Sequence, residues 1–252
     1  MTVLLLTATA AEQAEVAARL DDPVLRRRHG RDQRHGRLAG VPVRLVETGI
    51  GLVNTAQALT STLSMDLPDL VIHFGVAGAY GASGLNVGDI GVADCEIYGE
   101  LGVRTGEGWQ GAEIIGIPTA RIGGPEVDHY NHFAADTNLV AVALALLDRD
   151  STWPTGRPKV QAGPFVTVQE CSGTTALGNE RARRFDAICE NMEGAASAHI
   201  CAMENIPFLE VRGISNLVED RDRDRWDLAT ASARAQNAAA ALVEEFAAGG
   251  LP

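Results

Sequence analysis

Cysteine, positive charge and long apolar runs are all scarce in this chain, and each scarcity excludes a class of function. The four cysteines, Cys95, Cys171, Cys189 and Cys201, show neither a CxxC pair nor a Cys/His ligand spacing. That pattern speaks for buried, reduced thiols rather than disulfides or zinc, and for a cytoplasmic location. Lys and Arg number 21 against 33 Asp and Glu, a net charge of −12. Polyanion binding draws on clustered cations that neutralise phosphates, so nucleic acid is not expected as a partner, and any nucleotide-like ligand is a small molecule. The one basic cluster, Arg26-Arg-Arg-His-Gly-Arg-Asp-Gln-Arg-His-Gly-Arg37, is broken by two glycines and an aspartate and reads as a solvated hairpin or loop. No stretch approaches the ~20 apolar residues of a membrane helix, and no membrane partner is expected. The first apolar run follows no basic segment, is too short for a signal peptide and reads as a core strand. Neither an internal repeat nor a low-complexity linker divides the chain.

What is present suits an α/β protein. A hydrophobic share of 46% over 252 residues is ample for a substantial core. Apolar runs of strand length occur at 3–8, 41–47, 69–76, 90–97, 159–168 and 207–214. Helix-period stretches lie at Ala10 to Leu20, Val53 to Met65, Thr137 to Leu147, Glu180 to Cys189, Glu193 to Glu204 and Asp227 to Phe246. Strands alternating with helices predict a single three-layer domain over residues 1–252, with a central mixed, mainly parallel sheet flanked by helices. The Gly-rich stretch at about 100–136 is too long for an ordinary connection and is expected to be a substrate-covering insertion.

Ligands of open α/β sheets gather at the carboxyl ends of strands, which shortens the list of candidates. After the first strand comes Glu12, placed either to stabilise a helix start or to act on a ligand. Thr48 and Gly49 follow the second strand, Gly75, Val76, Ala77 and Gly78 end the third, and Val168 ends the fifth. The glycines let backbone approach a ligand closely, or simply make tight turns; as a dinucleotide fingerprint, GxG is incomplete. In Glu190-Asn-Met-Glu-Gly-Ala-Ala196, Glu193 stands beside Met192 among small residues, where an unpaired carboxylate is costly. It needs a buried partner or binds ligand hydroxyls. Asn216 follows the last strand and is either a turn or cap residue or a ligand contact. His73, inside an apolar run, reads as a satisfied core histidine, and the charge run Glu219 to Arg225 as a solvated loop of local ion pairs.

Taken together, these residues resemble the purine nucleoside phosphorylase and nucleosidase superfamily along nearly the whole chain. Glu47-Thr-Gly-Ile-Gly-Leu-Val53 and Phe74-Gly-Val-Ala-Gly-Ala79 look like its glycine loops. Leu85-Asn-Val-Gly-Asp-Ile-Gly-Val-Ala-Asp94 looks like its "VGDIVV" segment, and Asn191-Met-Glu193 resembles its "EME" ribose motif, with Asn191 in place of the first glutamate. The first loop has no arginine, and His73-Phe-Gly-Val76 stands where phosphorylases carry Arg-Val-Gly-Ser. The resemblance therefore implies hydrolysis, with Glu12 as general base, Glu193 on the ribose and Met192 packed against the sugar. Asn216 replaces the aspartate of adenine-specific nucleosidases, and an amide offers one donor and one acceptor, which suits a 6-oxopurine. The string Ile214 to Leu228 most resembles futalosine hydrolases, implying an inosine-like nucleoside with a 5′ benzoate. Arg104, Arg121, His129, Tyr130, Asn131, His132 and Phe133 of the insertion are the expected benzoate contacts. No cofactor or metal is implied, and a homo-oligomer is.

Overall fold

A computed structural model describes residues 1–28, 30–123, 127–150, 153 and 156–252. Its strands in chain order are β1 (Val3–Thr7), β2 (Asp21–Arg28), β3 (Arg31–Leu38), β4 (Val41–Glu47), β5 (Leu70–Tyr80), β6 (Ile90–Tyr98), β7 (Gly102–Thr105), β8 (Gly108–Gly111), β9 (Ala120–Ile122), β10 (Val127–His129), β11 (His132–Ala134), β12 (Val160–Thr167), β13 (Cys189–Asn191) and β14 (Phe208–Val218). The helices are α1 (Ala14–Ala18), α2 (Leu52–Leu63), α3 (Thr137–Arg149), α4 (Thr175–Phe185), α5 (Gly194–Glu204) and α6 (Leu228–Gly249).

The three layers follow from alternation along strands buried on both faces. In β1, Val3 and Leu5 pack with α1, α3 and α6, whereas Leu4 and Leu6 pack with α2 and α5. The same split runs through β5, where Leu70, Ile72 and Phe74 join the first core and Val71 the second. Parallel pairing joins β1 to β4 and β5, β5 to β14, β6 to β12 and β12 to β13. Among the described residues of this ten-stranded sheet, antiparallel pairing is confined to the β2–β3–β4 edge, the β11 edge and two contacts that bend the sheet back on itself. Through those two, β5, β14, β6, β12 and β13 form a closed circuit. Ala77, Ala79, Ala93, Phe165, Cys189 and Ile214, drawn from all five strands, share one core cluster. The mixed, mainly parallel sheet flanked by helices is as expected, and it is open at one end and closed at the site end.

The departures have local causes. The first helix is a 3₁₀ turn, Ala11–Gln13, followed by the short α1, and Asp21–Arg28 is strand rather than loop. The basic cluster is a hairpin, with β2 exposed along its whole length; His29 lies outside the described residues. α4 starts earlier than expected because Thr174 caps it, accepting from the Leu177 N–H, and it ends at Asp186 in the left-handed region, so Cys189 is free to pair as β13. Residues 100–136 are largely ordered into β7–β8 and β9–β10 hairpins and β11. Only two of the four cysteines, Cys189 and Cys201, are buried; Cys95 is partly so and Cys171 is exposed, which corrects the expectation for all four. Among the described residues no helix is long and apolar enough to cross a membrane.

Leu5 is fully buried, whereas Leu25 on the hairpin is 60% exposed. Leu5→Ala should cost about 2–5 kcal/mol of unfolding free energy, and Leu25→Ala less than about 0.5 kcal/mol. Urea unfolding of both variants checks this, and similar losses would contradict the described core.

Candidate active site

A cavity of about 450 Å³ opens where the closed circuit of strands meets the ends of β1 and β5. It brings together Glu12, Val76, Ala77, Gly78, Val168, Met192, Glu193 and Asn216. Thr48, Gly49 and Gly75 are outside its lining. Thr48 and Gly49 tie the end of β4 to that of β1, their N–H groups donating to Thr7 and Ala8 carbonyls. Gly75 acts by close approach instead: a Cβ there would lie 2.5 Å from Glu12 Oε1 and 2.9 Å from Arg212 Nη1. No described residue of 100–136 lines the cavity, so Arg104, Arg121, His129, Tyr130, Asn131, His132 and Phe133 are not contacts within this chain. Asn131 instead holds its own segment, donating to the Tyr98 and Leu101 carbonyls.

Glu12 stabilises the helix start, the first of the two roles that its position allowed, and also lines the cavity. Thr9-Ala-Ala-Glu12 forms a capping box: Glu12 Oε2 accepts from the Thr9 N–H and hydroxyl (3.0 and 2.9 Å), and the Glu12 N–H points back to Thr9 Oγ1 at 3.4 Å. The cap fixes one carboxylate oxygen. Oε1, held by the Val76 N–H at 2.9 Å, keeps lone pairs for a ligand.

Glu193 has the buried partner its setting required. Its Oε1 accepts from Gly51 N–H (3.0 Å), and its Oε2 lies 3.3 Å from Arg212 Nη1. Burial pushes the Glu193 carboxyl up, while Arg212 and the Gly51 N–H oppose the shift. Asn191 sets the backbone here: its Oδ1 accepts from the Glu193 and Gly194 N–H groups, both at 2.8 Å.

Arg212 is the principal residue that sequence reasoning missed. It is fully buried, and Nε donates to Glu210 Oε1 at 2.7 Å. Burial opposes its charge, but Glu210, Glu193 and Glu12 outweigh that and hold its pKa above the ordinary value. His73 is satisfied as expected, 2.9 Å from Ser197 Oγ and 3.5 Å from Arg212 Nη2. Burial and Arg212 lower its pKa, so the ring is neutral. One signal pointed to Arg212: Glu210 and Arg212 are two residues apart in a strand and so share a face. Behind them lies Glu96, whose oxygens accept from the Asn191 amide at 2.6 Å and the Thr167 hydroxyl at 2.7 Å. Burial and the Glu210 charge hold the Glu96 carboxyl well above the ordinary range.

Asn216 is neither turn nor cap but part of β14. Ile214 pairs with Ala77 and Asn216 with Gly78, leaving Ser215 as the extra residue of a bulge. Bulges re-aim side chains, and this one sends Asn216 into the cavity. Gly78 makes room, since a Cβ there would lie 3.1 Å from Asn216 Nδ2. Asn216 Oδ1 accepts from Ser215 Oγ (2.8 Å) and Nδ2 donates to Leu217 O (3.1 Å), which leaves one donor and one lone pair.

Glu190 was also missed. Gly78 is its register partner in β13 as well, so Glu190 and Asn216 flank the same glycine. Its carboxylate is caged by the Ser172 N–H (2.8 Å), the Ser172 hydroxyl (2.6 Å) and the Tyr80 hydroxyl (3.2 Å), with Arg181 at 3.6 Å. These partners are distant in sequence, and no local pattern announces them. Beside them, burial and Glu190 push the Cys171 thiol up against the pull of Arg221, so this exposed sulfur is a protonated thiol at neutral pH.

The phosphorylase superfamily model matches residues 2–248. Solved structures share the fold. The 5′-methylthioadenosine/S-adenosylhomocysteine nucleosidase of Neisseria meningitidis, in complex with methylthio-immucillin-A, is 24% identical, with a TM-score of 0.81 over 97% of this chain and 99% of that one. The nucleosidase of Colwellia psychrerythraea 34H, in complex with adenine, is 23% identical, with a TM-score of 0.79 over 96% and 94%. That of Streptococcus pneumoniae, with a transition-state inhibitor, is 23% identical, with a TM-score of 0.80 over 97% and 99%.

Unfolded Glu96 ionises near its ordinary pKa of 4.5, whereas folded Glu96 keeps its proton to higher pH. The folded state then binds the extra proton, so this group subtracts stability as pH rises above about 4.5 toward its folded pKa. Glu96→Gln should flatten that fall in denaturant unfolding between pH 4 and 8. An unchanged slope would show that folding does not hold the Glu96 carboxyl above its ordinary range.

Proposed function

The chain belongs to the phosphorylase superfamily, and on that footing we propose that it hydrolyses the N-glycosidic bond of a 6-oxopurine nucleoside, futalosine. The products are hypoxanthine and dehypoxanthine futalosine, and the setting is cytoplasmic menaquinone biosynthesis. The observation that carries the choice of base is the pairing of Glu190 and Asn216 to either side of Gly78. A 6-oxopurine presents an N1–H donor, an O6 acceptor and N7. Asn216 Nδ2 donates to O6 and its Oδ1 accepts the N–H formed at N7, while the caged Glu190 carboxylate accepts N1–H. Adenine, whose N1 is an acceptor, meets repulsion at Glu190.

Hydrolysis requires leaving-group activation, sugar positioning and a poised water. The C1′–N9 electron pair leaves with the base, which takes up a proton from solvent at N7, and Glu12 afterwards returns the proton it has accepted to solvent. Glu193 accepts the ribose hydroxyls, with Met192 against the sugar. Glu12 Oε1 orients the water and takes its proton as the oxygen bonds to C1′. Arg212 supplies positive charge beside both carboxylates, but its own pairing with Glu210 and Glu193 leaves little to hold a phosphate. We also read the protein as a homo-oligomer, since Ile114, Ile115, Ile117 and Met203 are exposed apolar residues outside the cavity.

Incubation with futalosine, aminofutalosine, inosine and methylthioadenosine, with and without phosphate, tests the reading through the base released. Hypoxanthine from futalosine, independent of phosphate, is expected. A requirement for phosphate would make the protein a phosphorylase, and faster adenine release would overturn the choice of base. Glu12→Gln should lower kcat by roughly 10²–10³ while leaving binding largely intact. Glu190→Gln should lower kcat/KM for the 6-oxopurine by roughly 10- to 100-fold. Asn216→Asp should shift preference toward the 6-amino analogue.

A further inference from the structure

The cavity is lined by three carboxylates, Glu12, Glu190 and Glu193, in a chain of net charge −12. Such a field repels anions. Two arginines also line it, Arg212 and Arg221. Arg212 is compensated by Glu210 and Glu193. Arg221 is different: it is exposed, and among the described residues no carboxylate lies within ion-pairing distance of it.

The surrounding charge run explains why. In Glu219-Asp-Arg-Asp-Arg-Asp-Arg225, Glu219 pairs with Arg225 at 2.7 Å. Asp220 accepts from the Thr175 N–H at 3.0 Å, and Asp222 caps the 3₁₀ turn Arg223–Arg225 by accepting from Asp224 N–H at 3.1 Å. The expected loop of local ion pairs therefore contains one ion pair and leaves over Arg223 as well as Arg221. The Arg221 guanidinium carbon instead sits 4.7 Å from the centre of the Trp226 ring, and Arg223 approaches the same ring at 5.9 Å. Trp226 and Leu228 both line the cavity beside Arg221. A cation fixed by an aromatic face next to an apolar wall is complementary to a ligand group that is planar, apolar and negatively charged.

We propose that Arg221, Trp226 and Leu228 form a subsite for an aromatic carboxylate carried on the nucleoside, with Arg221 binding the carboxylate and Trp226 and Leu228 the ring. This rests on the hydrolytic reading above and assigns to residues 221–228 the recognition first sought in residues 100–136. The subsite selects anionic nucleosides despite the acidic cavity, because Arg221 supplies the uncompensated positive charge.

The test compares futalosine with its neutral methyl ester and with inosine, by kcat/KM, in the wild type and in Arg221→Gln and Trp226→Leu. The wild type should prefer the carboxylate to the ester. In Arg221→Gln that ratio should fall by roughly tenfold to a hundredfold, as a rise in KM for the carboxylate, with Arg221→Lys restoring part of it. Trp226→Leu should weaken carboxylate and ester alike relative to inosine. An unchanged carboxylate-to-ester ratio in Arg221→Gln would overturn the subsite while leaving hydrolysis standing. If the wild type releases no base from any of the three nucleosides, the hydrolytic reading fails and the subsite with it.

Discussion

The buried guanidinium of Arg212 is the interaction on which the site depends. A cation taken out of water is tolerated only where carboxylates and carbonyls replace the solvent around it, and here Glu210, Glu193 and the Val76 carbonyl do so. Glu210 belongs to β14, Val76 to β5 and Glu193 to the start of α5. Removing one side of such a buried cluster costs about 3–5 kcal/mol, because the remaining charge stays uncompensated. The same cluster fixes Glu193, one of the three carboxylates that line the cavity. Stability and site geometry are therefore set by one set of contacts.

The closed circuit explains how so few strands present so many polar groups. β13 is three residues long, yet in pairing with both β12 and β5 it carries Glu190 toward the cavity and Asn191 toward the Glu96 side. Asn191 then holds the first turn of α5, which places Glu193. The bulge at Ser215 does the equivalent for Asn216. Backbone irregularity is thus concentrated where side chains must be aimed, and the regular strands beneath give it a rigid base.

Much of this was legible in the sequence. The unbroken apolar runs of β1 and β5 gave a sheet buried on both faces, and Glu193 in its apolar setting demanded a partner. Glu12, Asn216 and Met192 were found at strand ends and do line the cavity. The failures have physical reasons. Asn216 was placed after its strand because a bulge is invisible to periodicity. Arg212 looked like an interruption in an apolar run, although Glu210 two residues earlier lay on the same face. Glu190 depends on Ser172, Tyr80 and Arg181, whose separation along the chain hides the cage. The long segment 100–136 reads as loop because of its glycines, whereas they accompany the short β7–β8 and β9–β10 hairpins.

Contacts between the first turn and the last helix bear on synthesis. Gln236 of α6 accepts from the Glu15 N–H at 2.6 Å, and Ser232 reaches the Ala11 carbonyl at 3.4 Å. The turn that carries Glu12 is made long before its latch, which belongs to a helix about 220 residues further along the chain. A nascent chain can therefore form the Thr9 cap on the Glu12 carboxylate well before α6 is available to anchor the turn from behind.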